Sequence, residues 1–124
     1  SIAADDFFTG MFETALEEDE IIESISFSKP TKANYVKFPN PASRYAMVGV
    51  FVAQFGDEVR VAVTGAGEGG VFRHQEMESA LSTNFSADSL SSVNIVSDGL
   101  ISDLHASAEY RANLIKEMTK RAVV

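Results

Sequence analysis

The sequence has no cysteine, no tryptophan, two histidines and no long apolar run. Without cysteine this chain can form no disulfide and offers no cysteine nucleophile. Nor can it hold an iron–sulfur or zinc site through thiolates. The absence fits a reducing compartment. His74 and His105 do not share a His-x-x-x-His or similar spacing, so no transition-metal site is expected. No stretch of about 18 apolar residues is present, so no membrane span is expected. Positive charge is also scarce: 10 Lys and Arg stand against 18 Asp and Glu, a net charge of −8. That balance argues against nucleic acid, because phosphate binding needs clustered cations, and it disfavours an anionic membrane surface. The N-terminus is acidic and broken by Gly10, unlike a signal peptide. Ser1 in place of Met is the expected mark of a processed chain or of a piece cut from a longer one.

What is present is enough for one globular, soluble domain with one core: 124 residues, 45% hydrophobic and 23% charged. The organising stretch is Val48–Gly70. Val48–Phe55 and Glu58–Thr64 alternate in the manner of strands, and Gly56-Asp57 between them supplies a hairpin turn. The first of these runs is apolar on nearly both faces, as a strand near the centre of a sheet would be. Ala33–Phe38 is a further strand candidate. Lys29-Pro30 and Pro39-Asn40-Pro41 mark its limits, since proline cannot donate to a ladder.

On the N-terminal side, Asp5 and Asp6 are expected to cap a helical turn carrying Phe7 and Phe8. Phe12, Ala15 and Leu16 have helical spacing, and Ile21–Phe27 reads as an entering strand. The acidic block Glu17–Glu20 reads as a solvated turn. On the C-terminal side, a helix is expected from Arg73 or His74 to Leu81. A second, short helix capped by Ser86 should carry Leu90, Val93 and Val96. The last helix is capped by Ser107, with Glu109 in its first turn and Lys116, Lys120 and Arg121 near its end, as the helix dipole favours. Tyr110, Leu114 and Met118 form its stripe, widened by Ile115 and Ala122. The fold class is therefore α+β: an antiparallel sheet of three or four strands with about three helices on one face.

Gly65-Ala66-Gly67-Glu68-Gly69-Gly70 fits the dinucleotide pattern G-x-G-x-x-G. That loop belongs to a parallel sheet, with an acidic residue at the end of a second strand about 20 residues on. Here the preceding strand closes an antiparallel hairpin, and Ser86–Ser92 reads as helix. The glycines are expected to be an elbow that swings the chain from sheet to helical layer. His74 and His105 are expected in capping or surface roles. Asp103 is expected to pair with Arg111 or to cap a turn. Lys37, Arg44 and Arg60 are candidates for a small basic surface, with Lys37 and Arg44 flanking the proline turn.

Four stretches, in order, carry a family resemblance. They are Asp6–Gly10 with Thr14-Ala15-Leu16 and Asp19–Ile22; Lys37-Phe38 with Ala42–Val50; Gly65–Gly70 with Arg73 and Glu78–Leu81; and Asp103–Arg111 with Lys120-Arg121-Ala122. Together they resemble the C-terminal part of the FAD-binding (medium) subunit of molybdenum hydroxylases, the carbon monoxide dehydrogenase type in particular. The resemblance implies an enzyme of several subunits. A molybdenum centre in a large subunit oxidises substrate, iron–sulfur clusters in a small subunit carry electrons, and FAD in the medium subunit passes them on. It also implies that residues 1–30 join a missing N-terminal flavin domain, that 31–124 form the C-terminal domain, and that the location is cytoplasmic. FAD would be held mainly by the missing domain, with none expected in this fragment and no catalysis by the fragment alone. Lys37 and Ser43 are the positions it carries over as flavin-proximal. Where family members often have an Arg-rich stretch before this serine and an acidic residue after it, Pro39-Asn40-Pro41 and Arg44 stand instead. The alternative is a free-standing interaction module without redox chemistry.

Overall fold

The structure is a computed structural model and describes residues 1–10 and 12–123. Its elements in order are α1 (Ala4–Phe7), β1 (Phe8–Gly10), β2 (Glu13–Thr14), β3 (Lys32–Pro39), β4 (Ala46–Phe55), β5 (Glu58–Gly67), β6 (Gly70–Arg73), α2 (Gln75–Thr83), a 3-10 turn (Ala87–Leu90) and α3 (Ala108–Ala122). β3-β4-β5-β6 form an antiparallel four-stranded sheet, and β1-β2 a separate small ribbon. α2, the 3-10 turn and α3 pack on one face of the main sheet, as an α+β fold requires.

The valine alternation makes this arrangement. Val48, Val50 and Val52 of β4 and Val59, Val61 and Val63 of β5 all point to the helical side and are buried. They meet Met77 and Leu81 of α2, Leu90 of the 3-10 turn, and Leu114, Ile115 and Met118 of α3. Each such side chain stabilises the fold by roughly 1.5–3 kcal/mol through removal from water. Gly56, at φ +64, makes the β4–β5 turn. Ser107 caps α3 by accepting the Tyr110 N–H at 3.2 Å. Lys116 Nζ donates to the Ser91 and Val93 carbonyls and fastens the segment after the 3-10 turn to α3.

Four expectations change. Phe12 and its neighbours are not helical. Phe12 has φ +61, which bulky L-residues adopt only under strain, and the chain folds there into the β1–β2 ribbon. Ile21–Phe27 takes no strand: it has no partner ladder, and Ile21 and Phe27 are 87% and 84% exposed. Asp5 and Asp6 lie inside α1, whose N-cap is Ala3 without a side-chain bond. The Ser86 helix shrinks to the 3-10 turn because Ser86 makes no capping bond, and Val96 is exposed.

The glycine run also differs from the expected elbow. Gly65–Gly67 end β5, and Gly70 opens β6, so the run builds a fourth strand within the sheet. The chain leaves for the helical layer only at His74.

Candidate functional site

Three polar clusters and one cleft stand out. The first is the β3–β4 connection. Asn40 Oδ1 accepts the N–H groups of Ala42 and Ser43, the Asn40 carbonyl accepts that of Arg44, and Ser43 Oγ accepts that of Tyr45 at 3.3 Å. Arg44 sits at φ +64, a left-handed strain worth about 1 kcal/mol or more. Lys37 Nζ donates to the Arg44 carbonyl at 3.0 Å, so Lys37 and Ser43 share this corner. Arg60 does not join them. It pairs with Glu58 and lies four positions along the strand from Lys37's row, roughly 13 Å away. The small basic surface is thus split in two.

These residues do not fit the pyrophosphate of a flavin. From Ala42 to Tyr45 every backbone N–H is already used inside the loop, so no cradle of donors is free for phosphate. The glycine run fares no better. It lies in an antiparallel hairpin, the Glu68 N–H donates to Gly99, and β6 separates the run from the α2 N-terminus. A phosphate at the glycines would not meet the helix dipole. Lys37, Ser43 and Arg44 can offer side-chain contacts at the edge of a cofactor, and no redox step follows from them.

The second cluster is centred on Arg111, in the first turn of α3 and 3% exposed. Its guanidinium donates to the Met47 carbonyl at 2.6 Å, the Gly65 carbonyl at 3.2 Å and Asp103 Oδ2 at 2.8 Å. Asp103 also accepts the N–H groups of His105 and Ala106, so it both pairs and caps. These two backbone donors, and then Arg111, hold its carboxyl below the usual range. The pairing was readable from sequence. The two carbonyl contacts, to residues far off in the chain, were not.

The third cluster was missed. Glu78 of α2 takes both Arg73 Nε and Nη2 at 2.8 Å and the Val61 N–H at 2.9 Å. One turn on, Ser82 Oγ takes the Val59 N–H at 2.9 Å. A helix rises about 6 Å over four residues and a strand about 6.7 Å over two. The two side chains therefore continue the ladder of β5 where the short β6 stops. The readable signal was a pair of acceptors at i, i+4 on the flank of an amphipathic helix.

His74 caps α2, its Nδ1 accepting the Met77 N–H at a long 3.4 Å, and burial pushes its imidazole below the ordinary range. A cleft of about 340 Å³ opens beside it, with Phe72, Ile95 and Asp98 among its lining and glycine backbone forming much of one wall. Among the described residues no serine, threonine or lysine lines it beside His74 and Asp98. His105 is exposed.

The arrangement defines an α+β domain whose polar clusters tie helices to strand ends and edges. No family model and no solved structure matches the chain. A curated relative does: the nicotine 6-hydroxylase medium subunit of Paenarthrobacter nicotinovorans, 34% identical over 134 aligned positions that take in 100% of this chain and 47% of that protein. The chain spans about half the length of the relative it matches. That relative is a hydroxylase medium subunit, the class of protein that the four ordered stretches of sequence resemble.

Proposed function

We propose that the chain is the C-terminal domain of the FAD-containing medium subunit of a molybdenum hydroxylase in the cytoplasm. It would act beside a flavin domain of the same subunit and help dock the iron–sulfur small subunit and the molybdenum large subunit. Its part is support: holding the flavin domain in place for electron transfer from the clusters to FAD. The observation that carries this reading is the alignment of the whole chain with half of a hydroxylase medium subunit. Residues 1–30 would be the connection to the flavin domain, and 31–124 the domain itself. The Lys37–Arg44 corner would face the flavin side, with Lys37 and Ser43 as its contacts. FAD, when bound by the subunit, supplies electron acceptance and release. The residues of this chain supply structure and a limited edge contact.

The test is deletion of residues 31–124 from the full-length subunit. FAD content should fall, and the small and large subunits should no longer co-purify. Normal FAD content with intact assembly overturns the proposal. A free-standing interaction module remains a second reading because exposed apolar side chains crowd the N-terminal arm, Phe12, Ile21, Ile25 and Phe27 among them. An open reading frame beginning near Ser1, with no flavin-domain sequence upstream, would favour it.

A further inference from the structure

The sheet has a second face, opposite the helices. Cross-strand register puts Tyr35, Phe51, Ala62 and Arg73 in its middle row. The flanking rows are Lys37–Gly49–Thr64 and Ala33–Ala53–Arg60. A sheet face meant for water carries polar residues in alternation. This one has its polar residues, Lys37, Thr64, Arg60 and Arg73, at the margins, while two aromatics and four small residues fill the rest, and Tyr35 and Phe51 are left 47% and 42% exposed. Tyr35 lies down across Gly49: a Cβ there would come within 2.4 Å of its hydroxyl. The result is a low apolar strip at the centre of the face, bordered by Lys37, Thr64, Arg60 and Arg73, and such a strip can pack against another layer.

The geometry points to this face as the seat of a second domain of the same polypeptide, an assignment that rests on the longer medium subunit proposed above. Two observations select that occupant. The aligned relative has as much chain again outside the matched region. The N-terminal arm also meets the body at this sheet. β1 lies against the edge strand β6, whose Arg73 is held charged first by Glu78 and then, more weakly, by Asp5 of the arm. The arm ends at the opposite edge of the sheet, where the Thr31 N–H reaches the Gln54 carbonyl beside the start of β3. Chain preceding the arm would be delivered to the β6 margin of the bare face.

The arm also specifies the chemistry of its neighbour. Eight of the 18 acidic residues precede Lys29 and no Lys or Arg does, so residues 1–28 carry the entire net charge of −8. Residues 29–124 balance ten acids against ten bases. The occupying domain should present an apolar strip to Tyr35 and Phe51 and a basic rim to the arm.

The test uses the full-length subunit, with thiols introduced one at a time by F51C, by A62C in the same row, and by R121C at the exposed end of α3. Iodoacetamide labelling is followed peptide by peptide with mass spectrometry. A62C is the milder change and serves if F51C does not fold. The thiols from F51C and A62C should react roughly tenfold or more slowly than the one from R121C, because labelling must await local opening of the contact. Equal rates in a subunit that carries FAD overturn this inference and leave the functional reading standing. Protection that disappears on dilution identifies a second copy as the cover and overturns it as well. A full-length protein without flavin overturns the reading beneath it, whatever the labelling.

Discussion

Arg111 and Asp103 meet at 2.8 Å at the N-terminus of α3, and the same guanidinium reaches the Met47 and Gly65 carbonyls. One side chain thus joins a helix, the loop before it, the start of β4 and the end of β5. A buried guanidinium is tolerated because the partners of Nη1 and Nη2 replace water there, though Nε has none among the described residues, and removing the side chain leaves those carbonyls without their donor.

Arg111→Ala should therefore destabilise the chain by about 3 kcal/mol. Arg111→Lys should recover only part of this, since an ammonium has no planar fork to reach the carboxylate and both carbonyls together. Urea unfolding checks both. A loss below about 1 kcal/mol for Arg111→Ala, within the range of ordinary surface changes, would show that the cluster does not hold the strand ends.

Asp103 gives a pH dependence of definite sign. Its folded pKa lies below the ordinary carboxylate value, so the native state binds fewer protons than the unfolded chain through that range. The contribution is complete above the unfolded value and is lost as pH falls through the folded one. Thermal unfolding followed downward from about pH 5 should show the native chain losing more stability than Asp103→Asn. Parallel curves for the two proteins would contradict this.

Glu78 and Ser82 should matter through the strand they cover. Glu78→Ala leaves the Val61 N–H and Arg73 without their acceptor and should cost about 2 kcal/mol. Glu78→Gln keeps an acceptor for Val61 and should cost less. Ser82→Ala frees the Val59 N–H and should cost about 1 kcal/mol. Because an uncovered edge invites pairing with another chain, Glu78→Ala should also aggregate more readily, measurable by light scattering.

The parts of this molecule that sequence reveals are those whose reasons are local. Alternating valines and Gly56 specify β4 and β5, and Ser107 with the Leu114–Met118 stripe specifies α3. The arm misleads because apolar spacing reports amphipathicity and says nothing of the partner. Phe12, Ala15 and Leu16 have helical spacing, but Phe12 turns left-handed, and Ile21, Ile22, Ile25 and Phe27 are left exposed among the described residues. β6 spans four residues, too few for a period to show. Lys37 and Ser43 are named from a resemblance alone; the structure places them at one corner, whose strained loop conformation and internal bonds arise from Asn40 and Arg44. The reach of Arg111 to Met47 and Gly65 depends on topology, which brings together residues 64 and 46 positions apart.

The glycines themselves separate a structural role from a phosphate-binding one. At Gly65 the backbone has φ +77, and a Cβ would lie 2.3 Å from the Ala46 carbonyl oxygen. The close approach occurs where β5 leaves β4, and the Gly65 carbonyl there also receives Arg111. Gly65→Ala must therefore move backbone as well as accept a left-handed strain, and should cost about 3 kcal/mol. Gly69 has open space around its Cα and no left-handed φ. Gly69→Ala should be neutral or stabilising by up to about 1 kcal/mol, through the unfolded state. A dinucleotide loop would order the two differently, since bound phosphate needs close backbone approach across the whole run. Denaturation of both variants, with calorimetry of the native chain against FAD, NAD and ATP, decides the matter. Stability lost at Gly65 alone, with no heat of binding, is the outcome the hairpin requires. A measurable heat that Gly69→Ala abolishes would restore the phosphate loop.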